Sequence, residues 1–99
     1  MSTHPLHLIQ ESDGALFRLI GETREFALSG GELSKKHALL IALAIDVAKN
    51  AEGGITSLAK QALEAGATKQ EIMEVLRIAH YICGVGCIYT AARALEGVL

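Results

Sequence analysis

The run SKKHALLIALAIDVAKN, from Ser34 to Asn50, constrains this chain more than any other feature. Ala and Leu lead the helix propensities, and the run contains neither Gly nor Pro, so it reads as an uninterrupted helix. Ser34 is a good N-cap, because its hydroxyl can accept from an orphan N–H of the first turn. The helix is apolar nearly all round, which requires burial on most sides. It must therefore be enclosed by other helices. It is also too short to cross a membrane: the apolar stretch from Ala38 to Val47 falls well below the roughly 18 residues of a spanning helix.

The flanking segments supply the enclosing helices. Residues 1–10 read as a flexible arm, with Pro5 and two histidines, His4 and His7. Ser12 or Asp13 can cap a first helix, in which Leu16, Phe17, Leu19, Ile20 and Phe26 alternate with charged residues. Gly30-Gly31 stops it. After Glu52-Gly53-Gly54 a third helix is expected over Ile55–Ala65, ended by Gly66 in a left-handed cap. Thr68-Lys69-Gln70-Glu71 has the capping-box form. The helix it opens carries Ile72, Val75, Leu76 and Ala79 on one stripe, and Gly84 and Gly86 weaken or split it. A last helix, Ile88–Gly97, turns Ala91, Leu95 and Val98 inward. No strand or repeat is expected. The class is all-α, a single domain of five or six helices over residues 11–99.

The composition limits what such a domain does. Of its 99 residues 51% are apolar and only 4% aromatic, more hydrocarbon than one small core uses. The surplus points to contacts between subunits, and a homo-oligomer is expected. A net charge of −2 without a basic cluster argues against nucleic acid. Neither a spanning segment nor a signal peptide is visible, so no membrane association and a cytoplasmic location are expected. In that setting two cysteines read as reduced thiols.

Several blocks carry a resemblance in consistent order and spacing. They are Leu33-Ser34-Lys35-Lys36, Leu40-Ile41-Ala42-Leu43-Ala44, Ala62-Leu63-Glu64-Ala65-Gly66-Ala67-Thr68 and Glu71-Ile72-Met73-Glu74-Val75-Leu76, with Gly84-Val85-Gly86 after them. Over about two-thirds of its length, Leu33 to Leu95, the chain resembles the carboxymuconolactone decarboxylase-like family, which includes the alkylhydroperoxidase D proteins. The resemblance implies an alkylhydroperoxidase D-like helical fold assembled as a trimer or hexamer. It also implies a thiol site: a glutamate early in the second helix, then Cys-x-x-Cys-x-x-x-His entering the third. Two thiols one turn apart can form a disulfide, and a helix start with a nearby His lowers the thiolate pKa. In the same register this sequence has Leu39 for the glutamate, Ala51 and Gly54 for the cysteines, and Leu58 for the histidine. A thiol peroxidase built on those positions cannot operate. What they leave is an apolar pocket lined by Leu39, Ala51, Gly54 and Leu58 with Ile55. Glu52, Thr56 and Ser57 read as solvated helix-start residues, and Asp46 as a partnered polar residue.

A second constellation is His80, Cys83 and Cys87. If the helix persists through the glycines, the three share one face, with the thiols at i and i+4 and His80 a turn earlier. A relocated redox pair is then chemically feasible. Packing is the blander role for both thiols, because free cysteine is a common small core residue. No metal is expected, since three ligands on one helical face seldom complete a tetrahedral shell. No cofactor is expected either. His37 reads as an exposed or half-buried surface residue.

The favoured function is a divergent, non-catalytic small-molecule-binding or assembly module. The alternative is a thiol-based peroxidase or disulfide reductase using Cys83, Cys87 and His80. A lactone decarboxylase ranks last, because the helical core offers no obvious proton donor or anion-stabilising group.

Overall fold

A computed structural model describes residues 5–99. Its described residues form six α-helices and no strand: α1 (His7–Ser12), α2 (Gly14–Leu28), α3 (Lys35–Ala48), α4 (Glu52–Glu64), α5 (Lys69–Cys83) and α6 (Gly86–Leu95). The chain divides into two compact units, one ending at Gly30 and one spanning Gly31–Leu99.

In the first unit α1 packs against α2, and neither helix holds a buried residue. Asp13 caps α2, its side chain accepting from Leu16 N at 3.0 Å, so the expected start is correct. Part of the expected arm is ordered as α1, where His7 Nε2 lies 3.5 Å from Glu11 Oε1, one turn later. His4 and the first residues of the arm lie outside the described residues.

The second unit is built around α3, which packs against α4, α5 and α6. Ser34 accepts from His37 N at 3.1 Å, so this helix begins where its cap predicts. The core joins Leu43 and Val47 of α3, Ile55 and Ala59 of α4, Ile72, Val75, Leu76 and Ala79 of α5, and Cys87, Ala91, Ala94 and Leu95 of α6. Each fully buried Leu, Ile or Val contributes roughly 1.5–3 kcal/mol over its exposed state. The many alanines let the helix axes approach closely.

The helix ends follow local chemistry. Gly66 takes a φ of +102°, with Ala67 N donating to Ala62 O at 2.9 Å and Gly66 N to Leu63 O at 3.0 Å. This is the left-handed stop read from the sequence. Asn50 closes α3 the same way, at φ +56°, with Ala51 N on Asp46 O at 2.9 Å and Asn50 N on Val47 O at 3.1 Å. The capping box at Thr68 is complete: Thr68 Oγ1 accepts from Glu71 N at 3.0 Å, and Glu71 Oε1 accepts from Thr68 N at 2.9 Å.

Two helix starts, those of α4 and α6, differ from expectation, while the split at the glycines falls where the sequence suggests. Helix α4 begins at Glu52, three residues early, because Gly53 and Gly54 fall in its first turn and do not break it. The α5 helix ends at Cys83. Gly84 then takes φ +82° and ψ −173°, and a separate helix restarts at Gly86.

Candidate functional site

Three of the four positions that the resemblance marks out lie at or just after the corner between α3 and α4, whereas Leu39 lies in the second turn of α3. Ala51 is the N-cap of α4, Gly54 lies in its first turn and Leu58 follows one turn later, all three half-buried. Leu58 packs onto the core, while Leu39 on α3 is 0% exposed. Neither Leu39 nor Ile55, equally buried, presents surface to a ligand within this chain.

Polar side chains surround this corner in a way the sequence did not reveal. A Cβ at Gly54 would collide with the Asp46 carboxylate, whose Cγ would lie only 2.9 Å away. The missing side chain of Gly54 therefore makes room for Asp46. Thr90 on α6, almost fully buried, donates through Oγ1 to Asn50 Oδ1 at 2.9 Å. Thr56 Oγ1 lies 2.8 Å from Ala94 O and 3.2 Å from Glu52 O, which ties α4 to α6. Thr56 is thus more than the solvated helix-start residue expected. Arg93 Nε sits 3.5 Å from Glu52 Oε1, and both side chains are largely exposed. Such a pair contributes little to stability. Asn50 and Thr90 are 40 residues apart in the chain, a pairing that no local pattern encodes.

The continuous helix face expected to carry the second constellation is interrupted at Gly84. The single face required a helix continuous through Gly84 and Gly86, and that condition is not met. Cys83, at the end of α5, is exposed. Cys87, in the first turn of α6, is 3% exposed, with Sγ 3.3 Å from Gly84 O. Both are free thiols. His80 is exposed in the last turn of α5. No group of three or more His, Cys, Asp or Glu among the described residues could hold a metal ion.

Two open grooves flank α5. One, of about 450 Å³, runs between α3 and α5 and is lined by Leu33, Leu40, Ile41, Ile45, Val75 and Ile78, with His37 at its edge. His37 Nδ1 is 2.8 Å from Ser34 Oγ, so this imidazole is engaged at the α3 cap. The other, of about 390 Å³, lies between α5 and α6. Neither groove includes the four positions marked by the resemblance. The fold alters the acidity of Glu71. The Thr68 N–H, and next the Lys36 ammonium 3.0 Å away, hold its carboxyl below the usual carboxylate range.

Comparison with known proteins agrees with this architecture. The chain matches the model of the Carboxymuconolactone decarboxylase family over residues 14–97. It also superimposes on the crystal structure of an apo carboxymuconolactone decarboxylase family protein from Legionella pneumophila. The TM-score is 0.86 at 32% identity, over 92% of this chain and 81% of that one. The chain belongs to the carboxymuconolactone decarboxylase family. Among curated proteins, none matches it.

Proposed function

We propose that this chain is a divergent, non-catalytic member of its family, acting as a small-molecule-binding or assembly module. The observation that carries this reading is the chemistry at four positions. Leu39, Ala51, Gly54 and Leu58 offer no nucleophile, acid or base, and Leu39 is sealed in the interior. The groove between α3 and α5 supports the module role. Ile41, Ile45 and Ile78 stand about half or more exposed along it, an arrangement suited to a second subunit or an apolar ligand.

Peroxide consumption with a dithiol reductant tests the first half of this reading. The expected result is no turnover above the rate of a free thiol. Turnover that disappears in Cys83→Ser would overturn it and favour the thiol reading. That second reading draws on the exposure of Cys83, one turn from His80, but the burial of Cys87 works against a pair. Sedimentation tests the second half. Ile45→Asp is expected to lower the mass of a trimer or hexamer toward the monomer. A wild-type monomer that carries no bound small molecule would defeat the module role.

A further inference from the structure

The groove between α5 and α6 differs from its neighbour in one respect: it has a cationic rim. Met73, Leu76, Val85 and Ile88 form its walls, and Arg77 and His80, three residues apart on α5, stand at its edge. None of the six lining residues is acidic. Arg77 has no ion pair or hydrogen bond among the described residues, whereas Lys36 and Arg93 are paired with Glu71 and Glu52. The α3–α5 groove has no such cation, and its one histidine already meets Ser34. A fixed guanidinium above an apolar trough is complementary to a molecule with one anionic end and a hydrocarbon body. Arginine matches a carboxylate with two parallel N–H donors, and a ring N–H of His80 can add one more. At about 390 Å³ the groove falls at the small end of ligand sites, which run from roughly 300 to 1,000 Å³.

We infer that this groove binds a small amphipathic monocarboxylate, its carboxylate on Arg77 and its hydrocarbon against Met73, Val85 and Ile88. This inference does not depend on the loss of thiol chemistry, nor on what occupies the α3–α5 groove.

Octanoate and octanol, which share a hydrocarbon body and differ in charge, are the probes for titration of the full chain by backbone amide NMR. Octanoate is expected to shift the signals of Met73, Val85 and Ile88 and to bind roughly fivefold more tightly than octanol, the scale of one exposed charge contact. Arg77→Gln is expected to bring octanoate to the octanol level, and Arg77→Lys to restore part of the difference. Both substitutions are on the surface and leave the core intact, which a thermal melt verifies. Equal binding of the two probes overturns the proposal, as does an Arg77→Gln variant that binds octanoate normally. Shifts confined to Ile41, Ile45 and Ile78 would place the ligand in the other groove and also overturn it. So would octanoate failing to bind while Val85→Asp breaks up an oligomer, because the groove would then be covered by a second copy.

Discussion

At position 54 the absence of a side chain is what seats Asp46, so the two residues are energetically linked. Ala in place of Gly ordinarily favours a helix by up to about 1 kcal/mol. In Gly54→Ala that gain is opposed by Asp46, which must leave its rotamer at a cost of about 0.5–1.5 kcal/mol. The expected outcome in urea unfolding is little or no stabilisation by Gly54→Ala alone, and a gain approaching 1 kcal/mol in the Asp46→Ala background. Equal effects in both backgrounds would show that the two residues are not coupled. Glu71 gives a prediction about acid. Its folded carboxyl is held below the ordinary range, first by the Thr68 N–H and then by Lys36. Its contribution is therefore complete above the unfolded value and lost as pH falls through the lowered folded one. Glu71→Gln should lose stability at neutral pH and flatten the acid limb of the stability curve. An unchanged acid limb would contradict the role assigned to Glu71.

Among the elements, α3 and α5 were the most legible, because Ser34 and the Thr68–Glu71 box are local signals and both caps form as written. The start of α4 was read late. Glycines in a first turn replace few intrahelical bonds, so their low propensity does not stop a helix that Ile55 and Ala59 anchor in the core. The α5–α6 break was visible only as a pair of weak positions. What decides it is tertiary: Cys87, Ala91 and Leu95 can join the core because the chain turns at Gly84. The single face drawn for His80, Cys83 and Cys87 required continuity there, and the helix is interrupted. The polar corner around Asn50 and Thr90 was illegible for a similar reason, since its partners are 40 residues apart. The backbone at Gly84 (φ +82°, ψ −173°) lies in a region essentially reserved for glycine. Gly84→Ala is therefore expected to cost about 1–3 kcal/mol in thermal or urea unfolding. A neutral effect would mean that the turn can be made another way.

The buried side chains among the described residues lie between Leu39 and Leu95, all within the Gly31–Leu99 unit. The family and its helical architecture were legible at this scale because order and spacing of several weak blocks add up. Function was less so, because Leu39, Ala51, Gly54 and Leu58 carry no group whose chemistry points to a substrate. The junction of the two units has a consequence for anyone who wishes to modify the protein. Gly30 and Gly31 are exposed and take φ values of +99° and +142°, with open space where each Cβ would stand. A flexible insert lengthens such a connection at an entropic cost that grows only logarithmically, about 0.6 kcal/mol per doubling of loop length. A short Gly/Ser stretch carrying a fluorophore or affinity handle between them should leave the midpoint of thermal unfolding within a few degrees of the parent. A large drop would mean that the spacing of the junction is itself under constraint. The glycine pair is in that sense a splice point, where the molecule can be labelled or tethered without cutting into a helix.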